Sequence, residues 1–332
     1  MTAHKTIKSA KSMKSVKPAK SEHFSFEPLA KGVYVALDTG KGGAGCNAGI
    51  IALGRSHLIL DTGATLTAAR ELRAAGASLT GTPVAYVINS HDHPDHVLGN
   101  IVFEGAATLI AASGTREAMV ESGLTMMEGF RQQISQAIRH AEEGLAKVGR
   151  GGEDAAGGGQ TAHVDALRAE LTIGRAYMAG YPAPEDYRLP QVSFQGEMVF
   201  HGAPALRLID CGEAHSACDS VLYLPDEGIL FIGDLITEGN LILRYGSPER
   251  WLKVLDRLEA LGASTIVPGH GPVMPAGPAF AAARQYIHEI LGVAERAVAS
   301  GAVADQIPVP EGLGPYWYRD NIRFLLRRAA GS

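Results

Sequence analysis

The densest chemistry in the chain lies in His91-Asp92-His93-Pro94-Asp95-His96, where three imidazoles and the Asp95 carboxylate fall within six residues of an apolar, strand-like run, Val84-Ala85-Tyr86-Val87-Ile88-Asn89. Packing calls for no such residues, whereas neutral imidazole nitrogen and carboxylate oxygen are the donors zinc takes. Strand alternation puts His91 and His93 on one side of the chain, and Asp95 and His96 turn over into the next element. One short loop can therefore grip two ions. Further donors follow: His215 in Gly212-Glu213-Ala214-His215-Ser216, Asp234 after Leu230-Phe231-Ile232-Gly233, and His270 in Ile266-Val267-Pro268-Gly269-His270-Gly271. Each lies in or follows a loop beside a β-like run, where scaffolded loops carry chemistry. Asp234 also has a plainer reading, as a structural aspartate in the turn after Ile232-Gly233.

The order His-x-His-x-Asp-His, then His, Asp and His, resembles the metallo-β-lactamase-fold superfamily of metallohydrolases, and Leu58-Ile59-Leu60-Asp61-Thr62-Gly63 is similar to that family's opening motif. The resemblance covers roughly residues 25 to 300. It implies His91, His93 and His215 on one metal, Asp95, His96 and His270 on the other, and Asp234 bridging both. It also implies that Asp61 is no ligand but supports the motif loop by hydrogen bonding. Pro94 with Asp95-His96-Val97-Leu98-Gly99-Asn100 resembles the branch linked to quinoprotein and sulfur-oxidation systems, whose members are usually exported. Glyoxalase-type thioesterases and lactonases usually carry a Gly-Gly pair where Leu98-Gly99-Asn100 stands.

Three histidines on one zinc leave a position for water, whose pKa a metal lowers toward ~7. A second ion can hold the developing oxyanion, so no serine or cysteine nucleophile is needed, and Asp95 can relay a proton to the leaving group. The expected cofactors are two zinc ions, with iron or manganese as substitutes. The expected activity is hydrolysis of a thioester, ester, lactone or related carbonyl substrate by a metal-bound hydroxide, with β-lactam hydrolysis by the same group. A non-haem iron oxygenase or persulfide dioxygenase competes, but it needs one metal held by two histidines and a carboxylate, and this chain offers donors for two. For a phosphodiester nuclease only the basic N-terminal segment speaks.

That segment, residues 1–22, carries lysine at 5, 8, 11, 14, 17 and 20 in a Lys-Ser-x pattern and reads as a disordered tail through residue 24, or else as a weak contact for anionic lipid, nucleic acid or a partner. Six of the 30 basic and one of the 35 acidic residues lie there, so the rest carries 24 against 34, a net charge of −10 that argues against nucleic-acid binding. The partner is then a small-molecule substrate. No apolar run reaches eighteen residues, and the first thirty hold no apolar signal core. Cys46, Cys211 and Cys218 make no paired framework, which fits a reducing compartment, with cytoplasm the expectation. Cys211 and Cys218 bracket His215 and read as small buried residues or, alternatively, as thiolate ligands. His57, His140, His163, His201 and His288 lie in no motif and read as surface or packing histidines.

The elements that must hold these donors alternate strands and helices in two halves. Runs at 33–37, 50–53 and 58–60 read as strands, a helix follows near 64–75, and 108–111 is a further strand. The second half gives strands at 197–200, 205–209, 220–224, 229–232 and 264–267, with helices at 248–261 and 277–299. This predicts an α/β fold, a four-layer αβ/βα sandwich with the donors at the rim where both sheets end. Between the halves, about residues 114–186, helical stripes from Met127 to Val148 and from Val164 to Met178 flank a break with six glycines at 149–160. They predict a helical insertion in a metallo-β-lactamase-like domain of residues 25–332, serving as a lid over the metals or as a homodimer surface.

Overall fold

The computed structural model describes residues 20–150 and 158–331; most of the lysine-rich tail and the centre of the glycine-rich break lie outside them. In chain order the elements are β1 (Phe24–Ala30), β2 (Val33–Asp38), β3 (Ala48–Ala52), β4 (His57–Leu60), α1 (Leu66–Thr80), β5 (Val84–Asn89), α2 (Pro94–Val97), β6 (Thr108–Ala112), α3 (Ser113–Arg150) and α4 (Gly158–Gly180). Then come β7 (Val192–Phe194), β8 (Glu197–Phe200), β9 (Leu206–Gly212), β10 (Asp219–Leu224), β11 (Ile229–Gly233), α5 (Pro248–Glu259), β12 (Thr265–Pro268), β13 (Met274–Pro275), α6 (Ala276–Ser300) and α7 (Pro315–Ala329).

Two sheets form the middle layers, one ordered β1 to β7 and the other β13-β12-β11-β10-β9-β8. Strands with both faces covered must be apolar on both, and the sequence obeys. Leu222, Leu224, Ile229 and Phe231 point between the sheets with Leu58, Leu60, Ile88 and Ile110. Their neighbours Val221, Tyr223, Leu230 and Ile232 face the other way onto α5, α6 and α7. Ile50, Ile59, Val87 and Leu109 pack under α1. Three apolar cores thus separate four layers, the expected αβ/βα sandwich.

The helix ends follow local chemistry. The Thr65 hydroxyl accepts the Ala68 N–H to start α1, which ends at Gly81 in the left-handed region. This cap pair moves the helix later than its apolar pattern suggests. Ser247 caps α5 in the same way, with Pro248 at its first position. The body also begins before residue 25: the Ser21 hydroxyl donates to Glu71 at 2.5 Å, the His23 N–H reaches the same carboxylate, and β1 opens at Phe24. β7 and β13 are too short to have been read from the sequence, and α7 was missed.

α3 is 38 residues long, about 57 Å at 1.5 Å per residue. It packs against α4, with Gly174 set on Ile138 and Gly144 on Leu167. The root of this hairpin is fixed to the body: Thr115 Oγ1 donates to the Cys218 carbonyl at 2.7 Å, and Gly42 abuts Ile173. Among the described residues no helix is long and apolar enough to cross a membrane.

Candidate metal centre

The parallel strands β4 and β5 end side by side, with Leu60 opposite Ile88, so the residues that follow them meet at one sheet edge. Asp61 turns the chain with φ of 59°, rare for a residue with a Cβ. Its carboxylate accepts the Ser90 N–H at 2.8 Å and the Ser90 hydroxyl at 2.7 Å, and pairs with His96 Nδ1 at 2.9 Å. Ser90 Oγ in turn lies 3.0 Å from His91 Nδ1. Both rings therefore present Nε2 away from these partners. Pro94 opens α2, whose single turn carries Asp95 and His96. Behind it the Asn89 and Asn100 amides pair reciprocally at 3.0 and 2.9 Å, and a side chain at Gly99 would collide with the Thr62 carbonyl.

The second sheet supplies the remaining donors from loops at its matching edge. His215 lies between β9 and β10, its Nδ1 3.1 Å from the Ile242 carbonyl and its ring edge-on to the buried Trp251 at 5.5 Å. Asp219 braces this loop by accepting the Ser216 N–H and hydroxyl at 3.0 and 2.9 Å. Asp234 follows β11 and His270 follows β12, two parallel neighbours. Gly269 lies against the Asp234 carboxylate, where a Cβ would not fit.

All seven expected donors come together, in two groups whose ligand atoms lie within 4.8 Å of one another: His91, His93, His215 and Asp234, and Asp95, His96 and His270. Asp234 touches both, at 3.6 Å from His215 Nε2, 3.5 Å from His96 Nε2 and 3.2 Å from His270 Nε2. Asp95 Oδ2 lies 3.3 Å from His270 Nε2, and His93 Nδ1 is 3.1 Å from His215 Nε2. Burial and the surrounding imidazoles push His91 well below the usual histidine range and His93 down to about 3, so both are neutral donors. Against the cost of burial, Asp234 and Asp95 lift His270 to about 10, while the carboxylates of Asp234, Asp61 and Asp95 hold His96 high.

These side chains fit divalent cations. Nε2 of His91 and His96 and Oδ1 of Asp234 are buried without a hydrogen-bond partner, an arrangement costing of order 1–3 kcal/mol per group unless another ligand satisfies it. Soft thiolate is absent from both groups: burial pushes Cys46, Cys211 and Cys218 up to about 12, which keeps them as thiols. The bracketing cysteines are small buried residues, Cys218 donating to Asp210. Of the motif-free histidines, His57 is buried, and His140, His163, His201 and His288 are exposed.

His93, Asp95, His215, Asp234 and His270 floor a cleft of about 690 Å³. One wall is α3, through Met126, Gly129, Phe130 and Gln133; the other is the segment 237–245 with Trp317 of α7. Arg244 projects here, donating to Asp320 at 2.9 Å and lying 4.6 and 5.2 Å from the Tyr245 and Trp317 rings. Sequence reasoning expected the helical insertion at the rim of the site but missed the opposite wall of residues 237–245 and Trp317, as it missed Ser90 and the Ile242 carbonyl. Only Pro315 before the apolar positions Tyr318, Ile322 and Leu325 offered a usable signal for α7.

Residues 42–270 match the family model of the metallo-beta-lactamase superfamily. A linear primary-alkylsulfatase of Pseudomonas sp. (strain ATCC 19151) is 23% identical over 265 residues, which cover 73% of this chain and 43% of that protein, so the chain spans less than half the length of this curated relative. Among solved structures, a metallo-beta-lactamase from Erythrobacter litoralis superposes with a TM-score of 0.55 at 18% identity, covering 82% of this chain and 100% of the other. A metallo-beta-lactamase of Pseudomonas aeruginosa in its mono-zinc form gives 0.55 at 16% identity, covering 82% and 97%. One from Pontibacter korlensis gives 0.54 at 15%, covering 80% and 99%.

Proposed function

The chain belongs to the metallo-β-lactamase superfamily, and on that premise we propose that it is a dinuclear zinc hydrolase acting on a thioester, ester, lactone or related carbonyl substrate with an apolar portion. The observation that carries this reading is the joining of two donor groups at Asp234 on the floor of a cleft. His91, His93 and His215 would hold one ion, Asp95, His96 and His270 the other, and Asp234 both. When bound, the ions would supply an acidified water and a centre of positive charge for the reacting oxygen.

The chain's own residues do the rest. Asp61 and Ser90 orient His96 and His91, and the Ile242 carbonyl orients His215. Asp95, facing the cleft beside His270, holds and passes the proton needed by the leaving group. Met126, Phe130, Tyr245 and Trp317 receive an apolar group and exclude water from it. That Met126, Gly129, Phe130 and Gln133 of α3 form a wall of the cleft supports the lid role of the helical insertion.

A second reading is hydrolysis of the sulfate ester of an apolar alcohol. Arg244 favours it, a cation lining the cleft, together with the alkylsulfatase relative. Metal analysis of the purified protein joined to a panel of thioesters, lactones, β-lactams, phosphodiesters and alkyl sulfates tests both. Turnover of carbonyl substrates but not alkyl sulfates supports the first reading; the reverse establishes the second; no bound metal sinks both.

A further inference from the structure

We infer that Asn321, on α7 and outside the residues that match the family model, is a positioning residue for the metal centre, acting through the backbone of residues 241–243 on His215. This rests on His215 being a metal donor as proposed above. The Asn321 side chain is buried at 1% exposure. Its Oδ1 accepts the Leu243 N–H at 2.8 Å, and its Nδ2 donates to the Leu241 carbonyl at 2.6 Å and to the Tyr286 hydroxyl at 3.0 Å. One amide thus behaves as a neighbouring strand would, with both its N–H donors and one oxygen lone pair used.

The residue between the two gripped positions is Ile242. In extended backbone, alternate residues direct their polar groups to opposite sides, so fixing Leu241 and Leu243 from the α7 side leaves the Ile242 carbonyl aimed away from α7. That carbonyl lies 3.1 Å from His215 Nδ1. An acceptor there requires the proton on Nδ1, which leaves the Nε2 lone pair to face His93 and Asp234. Residues 241–243 belong to no helix or strand, so no sheet ladder holds them and the amide clamp takes its place. Arg244, next along, is tied to Asp320 of the same helix, and the Asn240 amide donates to the Gly314 carbonyl at 2.9 Å. The segment is therefore tied to α7 at one end and to Gly314, the residue before α7, at the other, with Asn321 between.

Removing a hydrogen-bond partner of a metal-bound imidazole typically weakens metal binding by about 10–100-fold; Asn321 acts one bond further out, so about tenfold is expected. The test is a zinc titration of the full-length protein against a chromophoric chelator, comparing wild type with Asn321→Leu, His215→Ala and His270→Ala. The expected result is that Asn321→Leu weakens about tenfold the same binding step that His215→Ala abolishes, with the other step unchanged. Equal weakening of both steps, or of neither, overturns the inference. A wild type that binds no zinc overturns instead the reading of the site. Should Asn321→Leu not fold, two measurements on the metal-free wild type decide. Imidazole nitrogen resonances should place the His215 proton on Nδ1, and the Leu243 amide should exchange slowly. An Nε2-protonated His215 or a fast-exchanging Leu243 amide overturns the clamp.

Discussion

The Asp61 carboxylate pairs with Nδ1 of His96 at 2.9 Å while accepting two bonds from Ser90. One side chain, held at a positive φ, thereby sets the orientation of an imidazole 35 residues away and steadies the residue that precedes His91.

Asp61→Asn keeps a residue type that tolerates positive φ but turns one acceptor oxygen into a donor. Metal affinity at the Asp95, His96 and His270 group should fall by about 10–100-fold with the fold intact. Competition titration with a chelator measures it, and an unchanged affinity would remove Asp61 from any role in orienting His96.

Asp234 is the only carboxylate that touches donors of both groups among the described residues. Asp234→Ala should lower kcat/KM by more than about 100-fold, the equivalent of about 3 kcal/mol of transition-state stabilisation, and reduce the ions bound at saturation. The fold should survive, because the apolar cores lie elsewhere. Elemental analysis with turnover measurements checks this; wild-type activity in the variant would rule out the bridging role.

Phe130 faces the cleft from α3 and lies 6.0 Å from Tyr177 and 6.2 Å from Tyr181. Phe130→Ala should cut kcat/KM for long-chain substrates by about tenfold, in line with roughly 1.5–3 kcal/mol for a buried aromatic ring, with little change for acetyl-sized ones. Equal losses on both would mean that α3 does not contact the substrate's apolar part.

Burial holds His57 below the usual histidine value even though its Nδ1 lies 3.0 Å from the Thr82 carbonyl. A folded pKa below the unfolded one means that, as pH falls through about 6.5, the unfolded chain binds a proton that the folded chain refuses. Stability is then lost on acidification, down to the folded pKa, by up to about 1.4 kcal/mol per pH unit. Urea unfolding between pH 7.5 and 5 should show wild type weakening more steeply than His57→Gln. Parallel curves would contradict it.

Deleting residues 1–19 should leave turnover unchanged, since none of the seven donors lies there. Deleting through residue 23 should lower Tm, because the Glu71 carboxylate loses Ser21 and both His23 contacts. Calorimetry on the two truncations separates these outcomes; equal Tm values would show that the Glu71 cluster does not stabilise the fold.

The clustering of the seven side chains was legible because they occur as polar residues after apolar strands, in an order that resembles the family's motif. Strands buried on both faces were legible as apolar runs, and α3 as a long periodic stripe. Ile242 and Leu243 could not be found in this way: a backbone carbonyl carries no side-chain signature, and its use depends on a helix some 80 residues later. Asn321 reads in sequence as an ordinary polar position on α7, and only its burial against Leu241 and Tyr286 reveals a purpose. The wall opposite α3 was hidden for a related reason, since Trp317 and Tyr245 have the same aromatic types as core residues.

The seam between the two sheets has a consequence for the order of assembly. Ser220 grips the Ser90 carbonyl through both its N–H and its hydroxyl, and the Asn47 amide reaches the carbonyls of Pro268 and Gly271. These bonds join residues 130 to 224 positions apart, and such distant pairings form late because long loops must close first. During synthesis the His91–His96 segment emerges well before its counterparts. The complete donor constellation first exists when residue 270 has left the ribosome and the second sheet has docked, so a nascent chain offers a cation only a partial grip, and tight capture waits for the finished fold.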